Sequence, residues 1–268
     1  MTVNKNSAKI IIVTDTHLVT PNGMLHGLDP RARLDTCIND INTHHGDAAL
    51  CLFAGDLTDD GSDAAYENFR EAMGALDLPW RLLIGNHDHR ARFCQAFPET
   101  PVDDNGFVQS IAETPAGTFI LLDTVNPGTH HGAFCEGRAA WLAATLERNA
   151  EKNICLIMHH PPFEIGIPSL DRIRILEPGL LRGVIERHTN IRHMFMGHVH
   201  RPVSGSWLGI PYTILPATNH QVVLDLENEH PIYFSHNHPG YGIVLMDDER
   251  VVVHTQDPLE EAAADNRR

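Results

Sequence analysis

The sequence predicts an α/β fold whose strands are covered on both faces of their sheets. Continuous apolar runs of strand length alternate along the chain with segments whose apolar residues recur at helical spacing. Runs in which nearly every position is apolar are typical of strands buried on both faces. These runs occupy residues 9–13, 48–54, 80–84, 154–158 and 193–196, and further strands are predicted at 118–122 and 212–215. Strands that alternate with helices in this way favour a layered α/β domain.

The predicted helices fall between these strands. They cover residues 30–44, 63–76, 136–148 and 176–188, with a further helix that begins at Arg90. The second helix follows Gly61-Ser62, a helix-start signal, and the fourth carries Pro178 in its first turn, where a missing N–H costs little. We expect these helices to cover the sheets and to have no catalytic part.

The region after residue 220 has a different pattern. Short apolar runs are found at 222–225, 231–234, 242–246 and 251–254. The turn signal Asp247-Asp248-Glu249 separates the last two, which predicts an antiparallel addition to a sheet. The predicted organisation is therefore a main domain at 1–220, a β-addition or cap at 221–256, and a flexible tail at 257–268.

Composition limits the classes of function. The chain has 268 residues, 35 of them acidic and 20 basic, with a formal net charge of −15. So acidic a protein repels polyanions, which argues against DNA or RNA as a substrate. No apolar stretch is long enough to cross a bilayer, and no apolar signal segment precedes the first strand. The sequence therefore predicts a cytoplasmic protein without a membrane partner.

The cysteines and most of the histidines do not form motifs. The five cysteines lack paired spacing, which predicts reduced, buried thiols. Histidine pairs such as His44-His45 and His130-His131 are expected in exposed turns.

Five short polar motifs each follow one of the five apolar runs. They are Asp15-Thr16-His17, Gly55-Asp56, Gly85-Asn86-His87-Asp88, His159-His160 and Gly197-His198-Val199-His200. Chemistry in open α/β sheets gathers beyond the carboxyl ends of the strands, so these side chains are expected to converge. Residues at i and i+2 of an extended segment point the same way, which lets Asp15 and His17 close on one ion. Carboxylate, amide and imidazole ligands suit Fe, Mn, Co or Zn.

Two positions stay open on the residues alone. His159 and His160 point opposite ways along a strand, so either of them can be the ligand. Asp88 can orient His87 or cap the helix that begins at Arg90.

The ordered set of motifs resembles that of the calcineurin-like metallophosphoesterases. The resemblance covers about the first 220 residues, and the full set is very specific although each motif alone is not. Within that family the chain is more similar to the bacterial class III cyclic-nucleotide phosphodiesterases and the glycerophosphodiesterases, which share Gly85-Asn86-His87-Asp88, the segment at 159–162 and a stretch like Leu122-Asp123-Thr124. It implies a four-layer α-β-β-α sandwich of two mixed sheets, with the catalytic domain at 1–220.

The resemblance also implies a dinuclear site. One metal ion would be held by Asp15, His17, Asp56 and His200, and the other by Asp56, Asn86, His159 and His198. Asp56 would bridge the two ions. His87 would act on the substrate as a hydrogen-bond donor or a proton source, and Asn86 and His220 are further candidate substrate-binding residues.

The resemblance implies hydrolysis of a small phosphodiester by a hydroxide held between the two ions, with a 3′,5′-cyclic nucleotide or a glycerophosphodiester as substrate. A phosphomonoesterase and a non-enzymatic metal-binding scaffold are the alternatives. The substrate-pocket walls are predicted at residues 26–33, 59–60, 163–170 and 225–240. The last segment carries His236-Asn237-His238, which motivates a capping or oligomer-forming role, and a homo-oligomer is a further prediction.

Overall fold

The structure, a computed structural model, describes residues 6–260. Its first sheet has five strands. Their bounds are β1 Ala8–Val13, β2 Leu50–Ala54, β3 Trp80–Leu83, β12 Tyr241–Met246 and β13 Val251–Gln256. The order across the sheet is β13-β12-β1-β2-β3, with β1, β2 and β3 parallel and β12 and β13 antiparallel.

The second sheet has six strands in the order β4-β5-β6-β7-β9-β8. Their bounds are β4 Ser110–Thr114, β5 Gly117–Leu122, β6 Ile154–Met158, β7 Ile191–Met196, β8 Val203–Trp207 and β9 Ile210–Ile214. The four inner strands are parallel, and β4 and β8 pair antiparallel at the two edges. Both sheets are therefore mixed, as predicted.

Helices lie on the outer face of each sheet. Their bounds are α1 Pro30–His44, α2 Asp63–Met73, α3 Arg90–Ala96, α4 Glu136–Arg148, α5 Pro168–Asp171 and α6 Gly179–Ile185. One apolar cluster joins helices α1, α2 and α3 to the first sheet, and another joins α4 and α6 to the second. A third cluster, which includes Ile12, Phe119 and Phe195, fills the space between the sheets. This is the four-layer sandwich that the resemblance implied.

Three helix predictions have the right bounds or start, and two are too long. Helix α1, helix α4 and the start of α3 at Arg90 are confirmed. The helix predicted at 63–76 ends at Met73 before Gly74, and the one predicted at 176–188 is the shorter α6. Beyond these ends Leu76 is buried in a loop and Leu176 is exposed, and periodicity does not distinguish a loop that carries apolar residues from a further helical turn.

The predicted antiparallel addition after residue 220 is confirmed. Strand β12 pairs with β1, and its hairpin to β13 turns at residues 247–250. The preceding runs form only a two-stranded ribbon, β10 Gln221–Val222 and β11 Phe234–Ser235. The division of the chain at residue 220 stays a prediction, and most of the predicted tail, residues 261–268, lies outside the described residues.

The thiols differ in part from the prediction. All five cysteines are free, and Cys37, Cys51 and Cys155 are buried, but Cys94 is half-buried and Cys135 is exposed at the start of α4. Within residues 6–260, no helix combines the length and the apolar character that a membrane span requires.

His193 gives the fold a pH dependence of its own. It is buried on β7, where Nε2 lies 2.9 Å from the Thr213 hydroxyl. Burial lowers the pKa of His193 to about 4. The unfolded chain takes up this proton near pH 6.5 and the folded chain does not, so the contribution of a neutral His193 is present above pH 6.5 and is lost as the pH falls towards 4.

We expect His193→Gln to reduce this dependence, because the amide can keep a bond to Thr213 without titrating. Between pH 7 and pH 5 the free energy of unfolding of the metal-free protein should fall by about 2 kcal/mol more in wild type than in the variant. Urea unfolding at both pH values measures the difference. His254→Gln, at an exposed position of β13, is the control and should behave like wild type. Equal pH slopes for wild type and His193→Gln would contradict the prediction.

Candidate metal centre

The polar motifs meet at the carboxyl edges of both sheets. The first sheet supplies the residues that follow β1, β2 and β3, and the second supplies those that follow β6, β7 and β9. These residues are Asp15, His17, Asp56, Asn86 and His87 from the first sheet and His159, His198, His200 and His220 from the second. The convergence expected at the strand ends is therefore present, and it joins the two sheets.

Five of these residues have a strained backbone. Their φ angles are positive at Asp15 (54°), His17 (46°), Asp56 (50°), His198 (69°) and His200 (51°). A non-glycine residue in this region costs on the order of 1–3 kcal/mol and persists only where the surroundings enforce it. The concentration of strain at one place is typical of a functional site.

Two glycines of the motifs make room for carboxylates. A side chain at Gly85 would collide with the Asp56 carboxylate, and one at Gly197 would collide with Thr14 and Asp15. Glycine is therefore required where the backbone passes closest to the two acidic side chains.

The first cluster contains the four residues predicted to hold one ion. Ligand atoms of Asp15, His17, Asp56 and His200 all lie within 4.8 Å of one another, and all four residues are buried. Nε2 of His17 and Nε2 of His200 are 3.1 Å apart, and Asp15 Oδ1 is 3.2 Å from Nε2 of His200. Ring nitrogens and carboxylate oxygens that face one another across so short a gap are placed to share a cation.

The second cluster contains buried polar atoms that form no hydrogen bond with any described residue. They are Asn86 Oδ1, His159 Nε2, His160 Nε2 and His198 Nε2, and the three histidines offer ring nitrogens within 4.8 Å of one another. Buried polar atoms are normally paired, so four unpaired atoms at one place call for a further partner. A metal ion fits, because an amide oxygen and imidazole nitrogens are electron-pair donors.

Asp56 stands between the two clusters. Its Oδ2 atom lies 3.5 Å from Nε2 of His17 and 3.2 Å from Nε2 of His159. Its other oxygen, Oδ1, accepts the backbone N–H of His87 at 2.9 Å. One carboxylate thus faces both candidate ion positions.

The tautomers of three histidines are set by their second ring nitrogen. Nδ1 of His159 donates to the carbonyl of Ala54 at 2.9 Å, and Nδ1 of His200 donates to the carbonyl of His220 at 2.8 Å. Nδ1 of His17 lies 3.1 Å from the Asp59 carboxylate. Each bond keeps the proton on Nδ1 and points Nε2 into the centre, which is the usual arrangement of a metal-bound histidine.

The charges of the metal-free centre favour cations. Burial raises the pKa of Asp15, but the imidazoles of His200 and His159 outweigh burial and the net pKa is lowered. Burial lowers the pKa of His159, but the Asp56 carboxylate outweighs it and raises the pKa to about 9. Two buried carboxylates thus stay ionised and hold protons on neighbouring rings, which metal ions would displace.

His87 lies beside the clusters and is 29% exposed. Its Nδ1 donates to the carbonyl of Asp59 at 2.7 Å, and its ring packs 4.7 Å from that of His17. The Asp59 side chain contacts both histidines, since Oδ1 is also 3.5 Å from Nδ1 of His87. Sequence analysis assigned Asp59 only to a pocket wall and missed this positioning role.

Asp88 has neither of the two roles considered for it. The N-cap of α3 is His89, whose side chain accepts from Arg92 N–H. The Asp88 carboxylate instead accepts the backbone N–H groups of Leu57, Thr58 and Gly85 at 2.9–3.2 Å. It therefore joins the loop after β2, which carries Asp56, to the loop after β3, which carries Asn86.

His130 lies in an exposed turn, as predicted, and also reaches the centre. Its Nδ1 lies 3.2 Å from the side-chain nitrogen of Asn86, and its ring is 5.4 Å from that of His87. This contact engages the nitrogen of the Asn86 side-chain amide, and the amide oxygen, Oδ1, has no hydrogen-bond partner among the described residues. No local sequence signal marks His130, because a long loop brings it to the site.

His160 also belongs to the second cluster. Its ring centroid is 4.6 Å from that of His198, while its Nδ1 bonds to the Thr124 hydroxyl at 2.8 Å. Of these two adjacent histidines, His159 contacts the Asp56 carboxylate, whereas the side chain of His160 packs against Gly132.

A cavity of about 310 Å³ opens onto both clusters. Of the predicted wall segments, His26, Asp59 and Leu170 line it, and Ile232 and Phe234 reach it from the 225–240 segment. Phe163 does not line it, because its ring packs 4.3 Å from Tyr212. His236 and His238, which motivated a capping role for the segment, line a separate surface groove instead.

His220 packs within this cavity and is 3% exposed. Its ring lies 4.4 Å from His200 and 4.7 Å from His26. Burial is the main reason that its pKa is lowered to about 2, so the ring is neutral at physiological pH. The clearest structural role of His220 is that its backbone carbonyl accepts the hydrogen bond that fixes the His200 tautomer.

Comparison with known proteins places the chain in a family. The family model for calcineurin-like phosphoesterases matches residues 8–202. The chain therefore belongs to the calcineurin-like phosphoesterase family, as its motifs predicted, and the prediction of a hydrolase is confirmed.

Relatives in this family carry more specific names. A probable cyclic nucleotide phosphodiesterase from Rhodopseudomonas palustris is 40% identical over 249 residues, which is 92% of this chain and 91% of the relative. A probable glycerophosphodiester phosphodiesterase from Arcobacter nitrofigilis is 29% identical, over 92% of each chain. The 3′,5′-cyclic AMP phosphodiesterase of Escherichia coli K12 is 26% identical over 78% of this chain and 76% of its own. These relatives agree with the predicted phosphodiesterase.

Solved structures share the fold. A dimetal phosphatase from Danio rerio superposes with a TM-score of 0.70 at 15% identity, over 94% of this chain and 97% of the other. A purple acid phosphatase from yellow lupin gives a TM-score of 0.66 at 12% identity, over 95% of this chain and 52% of its own. The predicted four-layer architecture is confirmed.

Proposed function

We propose that this chain hydrolyses small phosphodiesters at a centre of two metal ions. One ion would be held by Asp15, His17, Asp56 and His200 and the other by Asp56, Asn86, His159 and His198. The position of Asp56 Oδ2 between His17 and His159 carries the proposal. Two neighbouring cations repel each other, and the Asp56 carboxylate would supply the negative charge that offsets this repulsion.

When bound, two such ions supply an activated water and neutralise charge on the phosphoryl oxygens. Proton transfer to the substrate depends on the side chains of the protein. Because Nδ1 of His87 donates to a carbonyl, proton donation to the substrate must come from Nε2 of the imidazolium form. The Asp59 carboxylate, with Oδ1 3.5 Å from Nδ1, helps to hold the ring in this orientation.

The cavity supports a diester over a monoester. Beyond the metal ligands its wall includes Leu170, Ile173 and Phe234, which give a second ester group an apolar surface to occupy. The relatives' names point to cyclic nucleotides or glycerophosphodiesters. Substrate contacts at Asn86, His87 and His220 are part of the proposal, since all three residues line the same cavity.

The identity of the metals, the cytoplasmic location, the absence of nucleic-acid polymer substrates and a homo-oligomeric state are further parts of the proposal. The first can be tested directly. Fe, Mn, Zn and Co are the candidates, because carboxylate, amide and imidazole ligands suit all four.

The test is to load the metal-free protein with each metal, count ions per chain, and compare bis(p-nitrophenyl) phosphate with p-nitrophenyl phosphate. We expect about two ions per chain and a higher kcat/KM for the diester. A higher value for the monoester would favour the phosphomonoesterase alternative. Two bound ions without turnover of either ester would favour the metal-binding scaffold.

A further inference from the structure

The cavity has two chemically different sides. Histidine, aspartate and asparagine side chains of the metal centre form one side. The other is lined mainly by apolar side chains, namely Leu170, Ile173, Val222, Ile232 and Phe234. A phosphate held at the first side would therefore direct its ester group against the second.

One permanently charged cation, Arg172, lines this cavity among the described residues. It lies between Leu170 and Ile173, directly after the short helix α5. Within residues 6–260, its guanidinium forms no hydrogen bond or ion pair. Its neighbour Arg174, by contrast, pairs with Glu164 at 3.2 Å.

Arg172 is exposed, and its guanidinium shares the lack of a partner with that of Arg187, which is also exposed. Arg172 differs from Arg187 in that it lines the cavity, beside the apolar side chains of Leu170 and Ile173. Its donors are therefore available to a ligand in that cavity.

The charge of Arg172 selects among diesters. It disfavours an ester group that carries a cation, such as the choline of a glycerophosphocholine. The planar guanidinium donates two parallel hydrogen bonds, which match two adjacent acceptors. Guanine offers such a pair in O6 and N7, whereas adenine offers one acceptor and one donor at the corresponding edge.

We propose that Arg172 is a specificity-determining residue that binds the O6/N7 edge of guanine, so that a cyclic guanine nucleotide is preferred over the adenine one and over cationic glycerophosphodiesters. The proposal rests on the proposed diesterase activity. The phosphate has other partners in the metal centre and His87, which leaves Arg172 for the base.

The experiment compares kcat/KM on 3′,5′-cyclic GMP, 3′,5′-cyclic AMP, glycerophosphocholine and bis(p-nitrophenyl) phosphate for wild type and Arg172→Met. Wild type should prefer cyclic GMP over cyclic AMP by about 5- to 150-fold, the usual value of a bidentate arginine–guanine contact. Arg172→Met should lose that factor on cyclic GMP and change less than about threefold on cyclic AMP and on bis(p-nitrophenyl) phosphate. Its rate on glycerophosphocholine should not fall.

Two further variants sharpen the result. Arg172→Lys keeps the charge but not the planar pair of donors, so it should lose most of the guanine preference and still disfavour glycerophosphocholine. Arg187→Met removes an exposed arginine at the end of α6 and should behave like wild type. Metal content and circular dichroism of each variant show that the centre and the fold are intact.

An equal loss on all four substrates would place Arg172 on the phosphate and overturn the proposal, as would a wild type without a preference for cyclic GMP. Either result with measurable turnover of bis(p-nitrophenyl) phosphate leaves the diesterase function standing. Absence of turnover on every diester by protein that holds two ions would instead remove the proposed function itself.

Discussion

Asp56→Asn is expected to reduce kcat on a small diester by more than about 10³-fold, because several kcal/mol of transition-state stabilisation depend on both ions being held. The amide keeps an oxygen that can accept the His87 N–H, a bond of 2.9 Å in the wild type. It removes the negative charge between His17 and His159. Metal content should fall from about two ions per chain to one or none.

Metal analysis and steady-state kinetics measure these two effects on the same preparation. Asp104→Asn, at an exposed loop position, is the matched control and should leave both unchanged. A variant that binds two ions and keeps its turnover would show that Asp56 does not bridge. Circular dichroism excludes general unfolding as the cause of metal loss.

His87→Ala should keep its metal and lose about 10²–10⁴ in kcat, the usual range for a general acid or base. His87 lies beside the clusters, and among residues 6–260 its ring nitrogens bond only to Asp59. Loss of the ring therefore leaves every proposed ligand in place. His44→Ala, at a side chain 64% exposed, is the control. Loss of metal in His87→Ala would contradict the role assigned to it.

The leaving group separates the two roles open to His87. p-Nitrophenolate departs without a proton, whereas an alkoxide needs one. If His87 protonates the leaving group, the variant should lose much more on a cyclic nucleotide than on bis(p-nitrophenyl) phosphate. A donor to a non-bridging oxygen should give similar losses on both.

The parts of the site that follow strands could be predicted from the sequence. An apolar run fixes where a buried strand ends, and parallel strands bring their ends to one edge, so Asp15, Asp56 and His198 were placed by local pattern alone. The sequence did not give strands β4 and β8, because edge strands such as Val203–Trp207 carry polar residues and glycine rather than an apolar run.

Residues on loops could not be placed in the same way. His130 and Arg172 reach the cavity from loops whose path depends on tertiary contacts, such as the bond from Gly132 N–H to the carbonyl of Arg174 at 3.2 Å. Asp88 was assigned from its neighbours in sequence, but its carboxylate binds a segment some thirty positions away, at Leu57 and Thr58. Spacing along the chain carries no information about such pairs.

The proposed ligands come from stretches as far apart as Asp15 and His200 and from opposite halves of the sandwich. Ions bound there would cross-link the two sheets at their carboxyl edges. When the ions are removed, this cross-link is lost and the apolar packing between the sheets still holds the two halves together. The metal-loaded protein should therefore have a higher melting temperature than the metal-free protein.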